Sequence, residues 1–574
     1  MQWIFPDANT HTATMNMQNQ KQTKDKQRIP DSLSKDLQQN AKLIKTLLPA
    51  EDILSYSFTT ADGVACMLFY ADGMVNKQLL GELVAKPLSR TQLLAYKTQK
   101  DGGRYAMNPE KGNNNDNSNN GDNSDSADKQ TVKQLVELTE RFPELKTKDK
   151  PQDMLKEVLD GNTLLLVDGL QTGFIVGAKL LPVRTIMEPP TDVAVKGPRE
   201  GFIEDVKTNM ALVRKRLKTP DLRFETLRVG RRSDTAVTLC YLNGTANESI
   251  VKEVKQKIQA IDIDNVPDSS YITAFLSPRK HSVFRSVGTT EKPDVFCAKL
   301  AEGRVGVIAD GSPIALTVPY ILTEDLQSSE DYFISPFSAT VFRFMRLLAL
   351  FVAVLLPAFY VSAQLFKMQL VPLGLMLTIA SSVRELPLSP ALEMFVVLLL
   401  LEILKEASIR MPKYVGMSLS VVGALVLGET AVSAGFLSTP AIIIVAFSGI
   451  CLYTVPNFVE TGSILRWLFL LVGGGIGPFG IVLLAAFVLY YLLTADAYGT
   501  PPLAPFSPLI AGDLRDTVVK YDMQKLTRRP AFLRSENKTR MRIGDINKPQ
   551  DGAQVRQPSE ATDQKKGKKG ENHE

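Results

Sequence analysis

Four of the five charged side chains in the apolar segment 391–412 are candidates for binding an ion or a proton. Glu402, Lys405 and Glu406 are spaced i, i+3 and i+4, so a helix places them on one face. Glu393 lies half a turn out of phase with Glu402. Charges at membrane depth are costly unless they pair, face a bundle interior or line water, so these residues are functional candidates. The alternative is a helix lying flat at the membrane interface, with its acids among lipid headgroups.

A second candidate site is a row of small residues in segment 414–435. Its members, at strict four-residue spacing, are Gly416, Ser420, Ala424 and Gly428. Small side chains allow close approach of membrane helices and, in a ring of subunits, leave room for a narrow pore. In that arrangement Val422, Leu425 and Val426, on other faces of the helix, form an apolar constriction, and Glu429 attracts cations at the pore mouth. Plain packing within one subunit is the other interpretation.

The remaining patterns argue against an enzyme and against a bound cofactor or metal ion. The four cysteines occur singly, without the spacing of a metal cluster or a disulfide framework. His281 is the only histidine away from the chain ends, which leaves a nucleophile without a base. Gly475, Gly477 and Gly480 match G-x-G-x-x-G, but Pro478 stands where a helix N-terminus is needed, which indicates a helix break or a close helix crossing. A net charge of +5 does not indicate a nucleic-acid partner.

These candidate sites belong to a predicted α-helical polytopic membrane domain at residues 340–498. Its clearest span is 347–366, a run of 20 uncharged residues that is long enough to cross about 30 Å of hydrocarbon. Further apolar segments lie at 368–383, 391–404, 414–428, 430–459 and 467–495. We expect four full crossings, with six as the alternative, because an even number keeps both ends on one side of the membrane.

Basic residues predict the orientation of this domain. Arg343 and Arg346 precede the first span, and residues 513–574 hold 15 Lys and Arg against 10 Asp and Glu. Basic flanks favour the cytoplasmic side and contact with anionic lipid headgroups. The sequence therefore predicts a cytoplasmic N-terminal region and a disordered basic cytoplasmic tail at 513–574.

The polar N-terminal half predicts two related α/β subdomains, at 31–186 and 187–330. Each contains a helix, a β-rich run and a second helix in the same order. Each also contains two strands joined by a tight turn, at Asp168-Gly169 and at Asp310-Gly311. Chance similarity between two common α/β patterns is the alternative interpretation.

Two polar segments of this half are predicted to lack a fixed structure. Residues 1–30 are rich in Gln, Asn and Lys, and residues 112–128 form an Asn-rich loop inside the first subdomain. Neither segment has enough apolar side chains to offset the entropy of ordering it. The N-terminus also shows no cleavable secretory signal.

Two short motifs stand out in segment 188–222. Their residues are Glu188, Pro189 and Pro190, followed by Gly197, Arg199, Glu200 and Gly201. Together with Asp331-Tyr332 and segments 402–412 and 420–435, they closely resemble the A subunit of the GerA-type spore germination receptors. The resemblance covers about residues 190–515. It departs from the family at Ser408, where Gly is usual, and at Leu398, where an acid is common.

The resemblance implies a nutrient receptor subunit in the spore inner membrane, with the N-terminal region and the tail on the spore core side. It implies a transporter-like B subunit that binds the germinant, a lipoprotein C subunit, and a homo-oligomer around an ion-conducting path. A paralogous amplifying ion channel in the same membrane is the first alternative. A secondary transporter that binds its own substrate is the second, although no repeat of the membrane half supports it.

The Gly197–Gly201 motif also has a local interpretation. Its Arg199 and Glu200 are predicted to lie in a turn before the helix that follows, rather than in an anion site. Glu200 and Asp205 are then expected near the positive end of that helix.

Overall fold

The computed structural model describes an N-terminal α/β region, a helical region and a segment that follows it. The described residues are 30–90, 145–180, 196–279, 282–366, 369, 372–383, 386–410, 412, 415, 416, 418, 421–423 and 426–541. Three predicted segments lie outside these ranges: residues 1–29 of the predicted disordered N-terminus, the Asn-rich loop at 112–128, and the part of the tail after residue 541.

The first sheet of the α/β region has five antiparallel strands. They are β1 (Ile53–Thr59), β2 (Ala65–Ala71), β3 (Leu145–Lys148), β4 (Thr163–Val167) and β5 (Gly173–Val176), in the spatial order β1-β2-β4-β5-β3. Side chains alternate between the two faces of a strand. Leu164 and Leu166 therefore pack against α1 (Leu37–Leu47) and α3 (Pro151–Leu159), whereas Leu165 and Val167 pack on the face covered by α2, at residues 77–89.

The second sheet repeats this architecture. Its strands are β6 (Leu222–Val229), β7 (Thr235–Leu242), β8 (Gly288–Thr290), β9 (Val305–Ala309) and β10 (Ala315–Val318), in the order β6-β7-β9-β10-β8. The helices that cover it are α4 (Val206–Arg216) and α7 (Pro293–Glu302) on one face, and α5 (Glu248–Gln259) and α6 (Ser269–Leu276) on the other. The spatial order of the strands, counted along the chain, is the same in both sheets, and the predicted α/β class of the N-terminal region is confirmed.

Equivalent aspartates begin the first helix of each half. Asp36 accepts a hydrogen bond from Gln38 N at the start of α1, and Asp205 accepts one from Thr208 N at the start of α4. Such N-caps satisfy backbone N–H groups that have no partner within the helix. In the Asp-Gly turns, Asp168 and Asp310 accept from the first N–H group of these helices. The turn and the helix start are thus held together in both halves.

A buried ion pair joins the two halves. Arg214 on α4 donates from Nε and Nη2 to Asp52, at 2.8 and 2.7 Å, and both side chains are almost fully buried. The bidentate geometry matches the planar guanidinium to the carboxylate. Next to it, Thr226 N on the edge strand β6 donates to Glu51 at 2.8 Å. The joint therefore covers part of the open edge of the second sheet.

The helical region spans residues 336–494. Its helices are α8 (Pro336–Phe366), α9 (Leu373–Val383), α10 (Pro390–Arg410), α11 (residues 426–433), α12 (Thr439–Tyr453), α13 (Val459–Ile476) and α14 (Pro478–Thr494). Within the described residues, two helices are long and apolar enough to cross a membrane, Pro336–Phe366 and Pro456–Ile476. Shorter apolar helices lie at Val421–Ser433, Thr439–Tyr453 and Pro478–Thr494.

The prediction of a disordered tail is wrong for residues 513–541. This segment lies on the second half of the α/β region, where Arg529 Nε donates to Ala301 O at 2.7 Å and Ser535 Oγ donates to Glu302 O at 2.9 Å. Leu533 is 1% exposed. The basic composition of the segment does not indicate these contacts. A few buried contacts are enough to order a segment that has no hydrophobic periodicity.

Candidate functional site

A buried ion-pair cluster crosses the middle of the helical region. Glu402 on α10 accepts a hydrogen bond from Arg466 Nη2 on α13 at 2.7 Å, and its other oxygen pairs with Lys405. Arg466 is 1% exposed and also donates to Ser448 Oγ on α12 at 3.2 Å. An arginine buried among apolar helices requires such acceptors, because an unpaired buried charge is strongly destabilising. Glu402 and Lys405 therefore face the interior of the bundle.

The third charge of the predicted face does not join this cluster. Glu406 pairs with Arg410 on its own helix, and the two side chains are 57% and 78% exposed. Arg466 was not among the candidates from the sequence. Its signal is nevertheless present, because Arg466 is the only charged residue between Glu460 and Asp496. A single charge in such an apolar run needs a partner within the fold.

Glu393 lies in a separate polar cluster further along the helices. Its side chain is fully buried, and Oε1 accepts a hydrogen bond from Ser438 N, where Ser438 caps the start of α12. Its other oxygen, Oε2, has no hydrogen-bond partner in the described part of the chain. Tyr360, on α8, lies close to Ser438, Gln364 and Glu393. The half-turn offset between Glu393 and Glu402 thus separates them into two clusters.

These two clusters define two levels of the helical region. At the first level Ser448 donates to Ala353 O, beside Arg466 and Glu402. At the second level Gly474 packs beside Ala391 and Val361. From the first level to the second, the residue numbers increase along α8 (353 to 361) and α13 (466 to 474), and they decrease along α10 (402 to 391). The neighbouring helices therefore run in alternating directions, and the first level is the one nearer the α/β region.

The small-residue row is only partly described. Ser420, Ala424 and Leu425 lie outside the described residues. Gly416 is buried beside Ser408 O, whereas Gly428 is exposed and has open space where a Cβ would stand. Val422 is 54% exposed, and Glu429 is also exposed. Within the row, Gly416 is thus covered by the chain itself and Gly428 is not, and Val422, on another face of the helix, is also uncovered.

A buried network joins the α/β region, the first long apolar helix and the tail. Arg343 on α8 is fully buried and donates to Asp331 Oδ2 at 2.9 Å and to Asp516 O at 2.9 Å. Arg346 donates to Asp331 Oδ1 at 2.8 Å, and Lys520 of the tail donates to Asp331 O. Burial alone raises the pKa of Asp331, but the hydrogen bonds from Arg346 and Arg343 lower the pKa below its usual value. We call these five residues the junction.

A second contact of the same kind lies at the start of α13. Arg285 of the α/β region pairs with Glu460 at 3.0 Å, and Thr461 Oγ1 donates to Val283 O at 2.7 Å. At the end of α14, Arg279 donates to Thr494 O at 2.8 Å. Helices α8, α13 and α14 are therefore all attached to the α/β region at the same end of the bundle.

The Gly197–Gly201 motif lies beside the junction. Glu188, Pro189 and Pro190 are outside the described residues. Gly197 has a φ of +113°, and an added Cβ would meet the ring of Phe333 at 2.6 Å, so only glycine fits. Phe333 directly follows Tyr332. The Tyr332 hydroxyl donates a hydrogen bond to Asp516 of the tail at 3.1 Å. The motif thus packs against the entry to α8.

One detail of the motif differs from the prediction. Glu200 was expected near the positive end of α4, but it pairs with Lys215 and Arg216 in the last turn, each at 2.8 Å. Burial alone raises the pKa of Glu200, and these two ion pairs lower the pKa below its usual value. The segment before α4 therefore runs back along the helix, and the basic residues at its far end attract the carboxylate more strongly than the helix dipole does.

The sequence profile described as "Bacillus/Clostridium GerA spore germination protein" matches residues 41–532. The chain belongs to this GerA family. The match includes both sheets, the helical region and most of the described tail. No group of three His, Cys, Asp or Glu side chains suited to a metal ion occurs in the described part of this family member.

Several curated proteins are similar to this GerA family member. Spore germination protein KA of Bacillus subtilis (strain 168) is 32% identical over 74% of this chain and 78% of its own length. Spore germination protein B1 of the same strain is 28% identical over 89% of this chain and 100% of its own length. The uncharacterized membrane protein YfkQ, also from that strain, is 36% identical over 65% and 73%.

One solved structure is also similar. It is the N-terminal domain of the A subunit of the Bacillus megaterium spore germinant receptor GerK3, with 27% identity and a TM-score of 0.35. The similarity covers 50% of this chain and 97% of that domain.

Proposed function

We propose that this chain is the A-type membrane subunit of a spore nutrient germinant receptor. It couples germinant binding in a transporter-like B subunit to the release of ions, as an oligomeric channel in the spore inner membrane. A lipoprotein C subunit completes the receptor. Membership of the GerA family and the names of the similar spore germination proteins support a role in germination.

The junction is the observation that carries the coupling role. A signal that moves the α/β region must reach the helices through contacts, and Arg343 binds the α/β region and the tail from within α8. Arg343 and Asp331 are both fully buried. A movement of α8 relative to the α/β region would therefore expose one of these charges to solvent or leave it buried without its partner. Such an element favours discrete arrangements over gradual deformation.

The alternating directions of α8, α10 and α13 support the membrane topology. In this proposal α8, α10, the segment 415–433, α12, α13 and α14 cross the spore membrane, and α9 does not. The end of the bundle that carries the junction and Thr494 then faces the spore core, together with the α/β region and the tail. This number corresponds to the alternative of six crossings, rather than four.

The small-residue row, uncovered at Gly428, is the proposed helix contact of the oligomer, and Val422 on another face is proposed to line the constriction of the conduction path. Substitution of Ala424 by Leu is expected to block assembly or conduction, because the row no longer permits close approach of helices. Val422→Ala is expected to make the membrane leaky, because a wider constriction stays wetted. The two variants should therefore have opposite effects on ion release. Unchanged oligomer size and nutrient-triggered release in Ala424→Leu would assign this face to lipid.

The coupling role is tested in spores of the organism that encodes this chain. Deletion of the gene should abolish the release of monovalent cations after addition of nutrients, measured with an ion-selective electrode. Asp331→Ala, expressed at normal abundance, should reproduce the deletion. The matched control Asp522→Ala removes an exposed aspartate and should respond like the wild type. A normal response in Asp331→Ala would exclude the junction from coupling.

A paralogous amplifying channel is the second candidate, because one similar protein, YfkQ, is a membrane protein whose name carries no role in germination. Genes for B-like and C-like partners next to this gene support the receptor, whereas their absence supports the paralogue. Direct binding of a radiolabelled amino acid to the purified chain, without a partner, would instead support a secondary transporter.

A further inference from the structure

Four oxygen-bearing side chains converge at the second level of the helical region. They are Glu393 at the start of α10, Tyr360 and Gln364 on α8, and Ser438 at the start of α12. Glu393 is fully buried, Ser438 is 2% exposed and Tyr360 is 7% exposed. Around them pack Met394, Leu398, Leu437 and Ala441, so the cluster is enclosed by apolar side chains.

Most of the polar atoms in this cluster have no partner. Glu393 Oε2, Tyr360 Oη and both polar atoms of the Gln364 amide are buried and form no hydrogen bond of good geometry with the described residues, although Tyr360 lies close enough to Ser438 and Gln364 for weak ones. Buried polar side-chain atoms in proteins are nearly always satisfied by protein, water or a bound ion. Four unsatisfied atoms on three neighbouring residues therefore indicate that something else occupies the space between them.

The charge of the cluster restricts what that occupant is. Glu393 forms no ion pair with the described basic residues, since Lys405 and Arg466 pair with Glu402 at the other level. Ser438 N and the start of α12 offset part of the carboxylate charge through Oε1, but they leave Oε2 uncompensated. A carboxylate among neutral oxygens is a suitable environment for a hard cation, which takes oxygen ligands. A single carboxylate balances a single positive charge.

We propose that Glu393, Tyr360, Gln364 and Ser438 form a binding site for one monovalent alkali cation inside each chain. Glu393 Oε2 supplies the negative charge. The Tyr360 hydroxyl and the side-chain amide oxygen of Gln364 supply neutral ligands. The site is separate from the proposed path along Val422. It depends on one subunit only, so it stands or falls independently of the receptor role.

Cation binding is measured on the purified full chain in detergent. Equilibrium dialysis with radioactive sodium and rubidium should detect one saturable ion per chain. Chloride salts of sodium or potassium should also raise the melting temperature above that in N-methylglucamine chloride at equal ionic strength, because a ligand that binds only the folded state stabilises it. Equal melting temperatures in all three salts, with no saturable isotope binding, would overturn the proposal.

Variants identify the site. Glu393→Gln is nearly isosteric and should abolish saturable binding, and Tyr360→Phe should weaken binding at least tenfold. The control Glu406→Gln removes an exposed carboxylate from the same helix and should bind like the wild type. Should Glu393→Gln fail to fold, Tyr360→Phe decides, and wild-type affinity in that variant would refute the site. Stabilisation that follows pH but not the cation would show that a proton neutralises Glu393 instead.

Discussion

At the scale of single residues, burial changes the pKa of Asp325. Asp325, in the short helix Leu322–Leu326, is 8% exposed and accepts a hydrogen bond from the Tyr320 hydroxyl. Burial raises the pKa of Asp325 to about 6, and the hydrogen bond from Tyr320 opposes that increase. In the unfolded chain the same group titrates near 3.8.

Asp325 should therefore make the protein less stable as the pH rises. The native state binds the proton more tightly, so the free energy of unfolding falls between about pH 4 and pH 6, by about 3 kcal/mol in total. Asp325→Asn keeps an acceptor for Tyr320 and removes this part of the pH dependence. The check is the melting temperature of both proteins from pH 4.5 to 7.5, with the exposed Asp522→Asn as control. An unchanged slope in Asp325→Asn would contradict the assignment.

Glu402 and Glu406 illustrate how differently two acids on one helix turn contribute. Glu402→Gln leaves the buried Arg466 without its charged partner and should destabilise the chain by about 3–5 kcal/mol. Glu406→Gln breaks only an exposed pair, which is worth about 0–1 kcal/mol. Thermal unfolding in detergent should show a clear loss of melting temperature for the first variant alone. Similar melting temperatures for the two variants would mean that the buried pair adds no net stability.

At the scale of elements, the sequence predicts features that depend on a few adjacent residues. The Asp-Gly turns lie where they were predicted, with Gly169 and Gly311 at positive φ. The break in the glycine-rich apolar segment is also confirmed, because α13 ends at Ile476 and α14 begins at Pro478. Both kinds of feature follow from local backbone chemistry, since glycine adopts positive φ and proline begins a helix.

Features that join distant parts of the chain were not predictable in this way. Asp52 and Arg214 are 162 positions apart, and neither stands in a distinctive motif. Arg343 and Arg346 were predicted as topology signals, whereas the structure places them in a network with Asp331 and the tail. A pairwise contact of this kind is decided by the fold, so it is invisible to any periodicity of the sequence.

The helix break between α13 and α14 gives a matched pair of glycine substitutions. Gly477 has a φ of +79°, and an added Cβ would lie 2.8 Å from the Phe366 ring. Gly475→Ala, two positions earlier, meets no atom within 4 Å and lies in the helix. We expect Gly477→Ala to lower the melting temperature of the detergent-solubilised chain and Gly475→Ala to leave it unchanged or raise it. A lower melting temperature for Gly475→Ala than for Gly477→Ala would show that the backbone at residue 477 tolerates a side chain.

At the scale of the whole molecule, the proposed six crossings predict which surfaces a reagent reaches. The native cysteines, all buried, contribute little background to labelling with an impermeant maleimide. Ser249→Cys and Lys538→Cys should be protected in sealed membranes and react after detergent, because the α/β region and the tail face the core. Phe436→Cys, in the exposed turn before α12, should react without detergent. Opposite accessibility of Ser249→Cys and Lys538→Cys would require an odd number of crossings.

The core of the second sheet is completed by residues from beyond the last helix. Ala497 and Tyr498 belong to the same buried cluster as Val305 and Leu316, and the Tyr498 hydroxyl donates to Leu276 O at 2.6 Å. About 180 residues separate Val318 from Tyr498, which is roughly 10–40 s of ribosome time at typical bacterial rates. Throughout that interval the nascent second half has an open apolar surface, while in the proposed topology the helices enter the membrane. Completion of this core thus waits until the chain beyond α14 has been made, so a chain that stalls before Tyr498 keeps that surface exposed to the proteases that remove incomplete proteins.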